Sequence, residues 1–397
     1  MTDFALTKSL FHLPEGIIYL DGNSLGPLPK SASERVRHMM EDEWGQLLIT
    51  GWNKAGWMHK PSLVGDRVGK LVGAPKGSVV MGDTLSIKVY QALAAALEIN
   101  KDRKVVLSDT GNFPSDLYMA DGLIKSLDQG HELRLFNPEA VADQLTEEVA
   151  VLMLTEVDYR TGRLHDMKAI TEKAHDLGIL TIWDLAHTAG ATDVDLSAAK
   201  ADFATGCTYK YLNSGPGGPA FIYVAPHLQD QVRPALSGWL GHEAPFAFDL
   251  DYRAGRGIER MRCGTPPIIQ LASLQAALDI WDLATMKDVR AKSIELTELF
   301  IGGVEAACPE LKLASPRDPH QRGSQVSFHF EEGYAAMQAL IERGVIGDFR
   351  APDIMRFGFT PLYIGESDVQ QAVDIITEVM TSKLWDNPKY FEKAAVT

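Results

Sequence analysis

"ADFATGCTYKYLNSGPGG", residues 201–218, sets a single lysine, Lys210, between an apolar run and a glycine-rich loop. The run 201–207 reads as a strand, so Lys210 falls just beyond its carboxyl end. Open α/β sheets gather their ligands outside those ends. Desolvation disfavours an ammonium, and a neutral amine can condense with an aldehyde. An ordinary surface lysine on a loop fits the same local pattern, so the neighbouring segments have to decide.

Those segments alternate. "VYQALAAALEIN" (89–100), "SDLYMADGLIKSL" (115–127) and "MKAITEKAHDLG" (167–178) predict helices. "RKVVLSD" (103–109), "HELRLFN" (131–137), "EEVAVLMLTEV" (147–157), "ILTIWDLAH" (179–187) and "PAFIYVAP" (219–226) predict strands. Continuous apolar runs between helices indicate a parallel or mixed sheet covered on both faces. The fold class is therefore α/β, a three-layer α/β/α large domain. Beyond residue 284 the pattern changes to a smaller α+β unit, with a long amphipathic helix over 286–307. We place the large domain at 51–283 and assign 1–50 with 284–397 to the small one. No internal repeat or low-complexity stretch is visible.

The strand ends carry the chemistry. "VVMGD" (79–83) leads into Thr84, Leu85 and Ser86 at a helix start, which reads as an ordinary cap or as a phosphate site. "KVVLSDTGN" leads to Phe113, Pro114, Ser115 and Asp116, where Phe113 suits a flat ring or the core. The next two strands end at Thr155 and Asp184, and His187 follows in "DLAHTAG" (184–190). Asp184 is either a helix cap or a buried acid in need of a partner. His187 alone reads as a core histidine. Taken together, Thr, Phe, Asp and then Lys, each at a strand end, match what pyridoxal phosphate needs. The acid keeps the ring nitrogen protonated, the lysine carries the aldehyde and the helix start holds the phosphate. No Gly-x-Gly-x-x-Gly follows an early strand, so a nucleotide-binding dehydrogenase lacks support.

The chain has 397 residues and a formal net charge of −15. That balance argues against nucleic-acid binding and against an anionic membrane surface. No apolar run approaches the ~20 residues of a membrane helix, and "MTDFALTKSLFHLPEG" has no signal pattern. Three cysteines, Cys207, Cys263 and Cys308, show no Cys-x-x-Cys spacing, so no metal site is expected. A cytoplasmic location is expected.

"YLDGNSLGPLP" (19–29), "NFPSDLY" (112–118), "IWDLAHTAGA" (182–191), "GCTYKYLNSGPGG" (206–218), "LSGWLGH" (236–242) and "MRFGFTPLY" (355–363) together resemble the kynureninase family. The similarity runs from about Leu13 to about Leu384. "DLAHTAG" alone indicates only the wider class V aminotransferase-like group. The resemblance implies a fold type I pyridoxal-phosphate homodimer with active sites at the subunit interface. The implied reaction is hydrolysis of L-kynurenine, or its 3-hydroxy form, to an anthranilate and L-alanine in tryptophan catabolism. It implies Lys210 as the Schiff-base lysine and base, Asp184 as the partner of the ring nitrogen, and Phe113 against the ring. Asp116, Thr155 and His187 would hold the polar edge. Thr84, the Leu85 N–H and Tyr209 would bind phosphate, beside Pro114 and Ser115. Trp239 and Thr265 would complete the site from the other subunit.

Arg356 would grip the substrate carboxylate through two parallel donors. Its setting, "IMRFGF", is otherwise a buried-strand pattern, and an unpaired buried charge is costly. Trp52, Gly264 and Thr265 fall where the aryl pocket belongs. Animal-type members carry histidine, serine and asparagine there, so this chain resembles the bacterial, kynurenine-preferring kind, though Trp52 also suits a core. Tyr209 is a candidate proton relay or a structural phosphate ligand, and Asn23 and Ser24 are candidate pocket residues. Glu156 and Asp158 put more acid near the cofactor than expected. The competing readings are another class V enzyme such as a cysteine desulfurase, or a non-catalytic sensor of pyridoxal phosphate or kynurenine.

Overall fold

A computed structural model describes residues 1–392. Its centre is a seven-stranded sheet built from β1 (Val79–Met81), β2 (Val105–Asp109), β3 (Glu132–Phe136), β4 (Val149–Thr155), β5 (Leu180–Asp184), β6 (Phe203–Gly206) and β7 (Phe221–Val224). The spatial order is β1-β7-β6-β5-β4-β2-β3. Neighbours from β6 to β3 pair in parallel, while β7 is antiparallel to both β6 and β1. The direction of β7 follows from its connection. A loop rather than a crossover helix joins β6 to β7, as suits antiparallel neighbours. All seven residues of β4 are buried, which explains its unbroken apolar sequence. β3 lies at the edge, and its Leu135 is exposed.

Helices α1 (Lys60–Leu71), α2 (Leu85–Ile99), α3 (Pro114–Leu127) and α4 (Met167–Asp176) cover this sheet. α2 crosses β4 to β7. Three of its four alanines, Ala92, Ala95 and Ala96, are fully buried, which lets the helix lie close to the strands. α1, which packs on β1, was not among the elements expected from the sequence. Pro61 stands in its first turn, where a missing N–H costs nothing.

The second sheet is antiparallel and contains β8 (Lys312–Leu313), β9 (Gln325–His329), β10 (Asp348–Arg350) and β11 (Ile354–Gly358), in the order β8-β9-β11-β10. α5 (Ile268–Trp281) packs on α1, whereas α6 (Met286–Ala307), α7 (Gly333–Ile341) and α8 (Glu366–Thr381) go with the second sheet. Phe300 of α6 is fully buried against Phe328, Phe357 and Phe359, at centroid distances of 6.1, 5.1 and 4.9 Å. Burial of one such ring stabilises by roughly 1.5–3 kcal/mol, and here it ties β9 and β11 to α6. The amino-terminal segment joins the same region, because Ile18–Tyr19 pairs in parallel with Val345–Ile346. Among the described residues no helix is long and apolar enough to cross a membrane.

Candidate active site

β4 and β5 are adjacent and in register, so Thr155 and Asp184 sit side by side at their carboxyl ends. β6, next in order, ends at Gly206 and delivers Lys210 to the same edge. Lys210 is half-buried. Its Nζ lies 2.9 Å from His187 Nε2 and within 6 Å of two ring centroids, 5.8 Å for Phe113 and 5.9 Å for Tyr209. The Phe113 ring is 41% exposed, an unusual state for phenylalanine and one that leaves a flat face beside the amine. Tyr159 meets its edge at 5.1 Å.

The state of His187 follows from its partners. The ring is buried, and its Nδ1 lies 3.1 Å from Gln325 Oε1. The Gln325 amide nitrogen is directed at the carbonyls of Tyr159 (3.1 Å) and Asp158 (3.4 Å). Its oxygen therefore faces the imidazole, and Nδ1 carries the hydrogen. Burial, with Lys210 and Arg356 nearby, holds the imidazole well below its usual pKa. Nε2 is thus a neutral acceptor aimed at Lys210.

Asp184 and Asp116 form a buried acid pair. Burial pushes Asp184 up to about 6, against the pull of Lys210, the Ala186 N–H and Thr155. The Ala186 N–H donates to Oδ1 at 2.9 Å. That is a local turn, and no helix follows Asp184 for it to cap. Asp116 is pushed well above the carboxylate range by burial and by Asp184, with Lys210 opposing. Its Oδ2 is buried without a partner. Repulsion from Asp184 adds to burial at Asp116, so Asp184 is the acid that ionises first.

The other edge of the site joins two helix starts. Thr84 caps α2 without a side-chain bond to it, so its hydroxyl is uncommitted there. Pro114 opens α3, and Ser115 Oγ lies 2.8 Å from Ser86 Oγ. Free N–H groups, two serines and a threonine make an anion cradle. The Gly82 N–H donates to the Ala220 carbonyl (2.9 Å) and the Ala220 N–H to Asp83 (3.1 Å). The cradle is thereby tied to the far end of the lysine loop. An orphaned acid, an exposed ring face and an uncapped helix start fit a phosphorylated pyridine aldehyde.

Arg356 is fully buried on β11, directly opposite Asp348 of β10. Its Nε donates to Asp348 Oδ1 at 2.7 Å, and its Nη2 donates to Oδ2. Nη2 also reaches Ser24 Oγ at 2.8 Å, and Nη1 donates to the Tyr159 carbonyl. The edge with two parallel donors is therefore engaged by Asp348. Of the guanidinium hydrogens, only one on Nη1 is left without a partner among the described residues. Arg350 meets Asp348 at 2.7 Å. Asn23 is fully buried with both amide atoms unpartnered. A Cβ on Gly358 would come within 2.0 Å of its Oδ1.

The two unexpected acids have separate roles. Asp158 Oδ1 accepts from the N–H groups of Arg160 (2.8 Å) and Thr161 (2.7 Å), so it shapes a turn. Glu156 is buried with an unpartnered Oε2 and is pushed up to about 8 by burial, against the nearby Thr188 hydroxyl. The Tyr209 phenol is raised by Cys207 beside it and by burial, so it is neutral.

Four expected residues lie apart from this cluster. Trp52 and Thr265 line one apolar groove of about 340 Å³ with Met39, Trp44 and Trp57. Gly264 and Thr265 are exposed, and Trp239 is half-exposed against Phe246 at 5.8 Å. Among the described residues, no hydrogen bond, ion pair or ring contact links these four to Lys210. Asp21, Tyr159, Gln325 and Asp348 were not expected from the sequence. For Asp348 a signal existed, because Asp348 and Arg356 stand symmetrically about the turn at Pro352.

Relatives bear on this arrangement. The family profile described as the kynureninase C-terminal domain matches residues 289–376. A kynureninase of Pseudomonas fluorescens is 49% identical, covering 98% of this chain and 95% of the relative. One of Burkholderia pseudomallei (strain 1106a) is 48% identical with the same coverage. Among solved structures, the cysteine desulfurase of Thermococcus onnurineus NA1 superposes with a TM-score of 0.80 at 18% identity, over 95% of this chain and 98% of that one. A C-DES mutant with glycine covalently linked to its PLP cofactor gives 0.79 at 17% identity, over 95% and 100%. The solved structures identify the fold as that of class V, fold type I enzymes. Near-half identity across almost the full length goes further, and the chain belongs to the kynureninase family.

Proposed function

We propose that this chain is a hydrolase acting on a carbon–carbon bond, cleaving L-kynurenine to anthranilate and L-alanine with pyridoxal phosphate as cofactor. The observation that carries this reading is the Lys210 amine, 2.9 Å from a neutral imidazole acceptor and beside a buried acid pair. Bound there, the cofactor supplies an aldehyde for the lysine and a cationic ring that withdraws electrons. Asp184 would hold the ring nitrogen, and Phe113 the ring face. Asp116, Thr155 and His187 would hold the polar edge. Thr84, the Leu85 N–H, Ser115 and Tyr209 would hold the phosphate.

In the reaction we assign the removal of the substrate Cα proton to Lys210 Nζ as general base. His187 Nε2 accepts a hydrogen from Nζ and so directs the nitrogen lone pair toward the substrate. Arg356, steadied by Ser24, orients the substrate carboxylate, with Asn23 behind them. The neutral phenol of Tyr209 can give a proton to the departing anthranilate or to the alanine carbon.

We further propose a homodimer in which Trp239 and Thr265 complete the partner's site, and in which Trp52 and Gly264 shape its aryl pocket. Exposed Trp44, Trp239 and Phe246 support that reading. We also retain 51–283 as the cofactor-binding domain, with 1–50 and 284–397 as the smaller one.

The desulfurase reading is not favoured. It needs a thiolate, but Cys207 is buried and pushed up to about 11 by burial. Burial also raises Cys263 and Cys308. The test is anthranilate fluorescence from L-kynurenine and from its 3-hydroxy analogue, with and without added cofactor. Cofactor-dependent release, faster from kynurenine, is expected. Sulfide from cysteine, with no anthranilate from either compound, would overturn the proposal.

A further inference from the structure

Around Arg356 lie more charges than a carboxylate grip requires. Arg350 and Arg356 are balanced in part by Asp348, which bonds to both. A second acid, Asp21, enters from the amino-terminal segment. It is half-buried, its Oδ1 is enclosed without a hydrogen-bond partner, and the backbone bonds of its neighbour Leu20 to Ile346 and Gly358 set it next to β10 and β11, within electrostatic reach of Ser24, Asp348 and the two arginines. Ser24 Oγ donates its one hydrogen to Asp348 Oδ2 at 2.7 Å and accepts from Arg356. With both acids ionised the cluster is neutral, and an added carboxylate would make it negative in a largely enclosed site.

We infer that Asp21 takes up a proton when a carboxylate binds at Arg356, and so acts as the charge-balancing residue of the substrate site. This rests on the reading of Arg356 as the carboxylate grip. The proton comes from solvent, and the bound state then holds two guanidinium groups, ionised Asp348, neutral Asp21 and the ligand anion. The other groups facing Asp21 do not titrate near neutrality. Burial raises the phenols of Tyr19, Tyr211 and Tyr363. Asp348 is held low, because Arg356 and Arg350 outweigh its burial. Asp21 itself is pushed up to about 7 by burial and by Asp348, against Arg356, Ser24 and Arg350. A further anion pushes it higher. Above that pH, binding has to draw a proton from solution.

The test uses the holoenzyme. The KM for L-kynurenine is followed from about pH 6 to 9 in wild type, Asp21→Asn and Asp21→Ser. Proton uptake on binding L-alanine is measured near pH 8 by calorimetry in two buffers of different ionisation enthalpy. In wild type, KM should climb above pH 7 by up to about tenfold per pH unit, with uptake of up to about one proton more than in the variants. Both variants should lose that slope. An unchanged slope in either variant, or wild-type uptake no larger than theirs, overturns the inference. If both variants fail to fold, a wild type that takes up no proton overturns it alone. Arg356→Gln separates the two readings. If that change leaves KM unaltered, the carboxylate grip itself is wrong. If it raises KM while Asp21→Asn keeps the slope, only Asp21 is misassigned.

Discussion

Removing the Lys210 side chain leaves His187 Nε2 without the amine that lies 2.9 Å from it. General-base groups contribute typically 10²–10⁴-fold, and Lys210 is assigned to cofactor attachment as well. Lys210→Ala should therefore lower anthranilate release by at least about 10³-fold, and the visible absorption of lysine-linked cofactor should vanish with it. Glu156 gives a prediction of a different kind. Its folded-state pKa, about 8, lies above the ordinary 4.5. A raised carboxyl favours the folded state while protonated, so stability falls as pH climbs from 4.5 toward 8 and levels off beyond. Glu156→Gln removes that loss. It should stabilise the chain at pH 9 by up to about 5 kcal/mol, with a smaller gain at pH 6, read as melting temperatures at the two pH values. Equal gains at both would show that Glu156 does not titrate as buried.

At the scale of elements, the β10–β11 hairpin is a mount for one guanidinium. Its register places Asp348 across from Arg356, and both are buried. Breaking a buried pair by removing one partner costs roughly 3–5 kcal/mol. Asp348→Ala should lose about that much in chemical denaturation and also raise the KM for kynurenine, because Arg356 loses its aim. A loss of stability without a change in KM would separate the mount from the grip. The strands of the central sheet were legible because each buries both faces and so writes an unbroken apolar run, as β4 does. α1 was not, since its seven polar or glycine positions dilute the apolar stripe. Strand-end positions exposed Asp184 and Lys210 in the sequence. Asp348 and Gln325 act through partners 8 and 138 residues distant, and only chain pairing in three dimensions brings those together.

For the whole molecule, the proposed second subunit is open to a direct test. Trp239 and Thr265 are exposed and stand apart from Lys210 in one chain. If a site takes Lys210 from one subunit and Trp239 from the other, two inactive variants can repair each other. Mixed dimers of Lys210→Ala and Trp239→Ala would carry one intact site and one doubly damaged site. Random mixing should restore about a quarter of wild-type activity, measured after unfolding and refolding the two variants together. No recovery would mean that each subunit builds its site alone. The motif "MRFGFTPLY" signalled Arg356 from sequence, whereas charge balance around it depends on Asp21, some 330 residues earlier.

The two backbone bonds between Gly82, Asp83 and Ala220 join the strand that leads to the anion cradle with the strand that follows the lysine. With Lys210 and the cradle as the proposed anchors of the cofactor, these bonds set a fixed gauge between them. A ligand has to match that gauge at both ends. The dephosphorylated vitamer reaches one anchor only, so it should condense slowly and wash out on dialysis. Selection by length comes here from main-chain pairing, which substitutions of side chains leave largely intact.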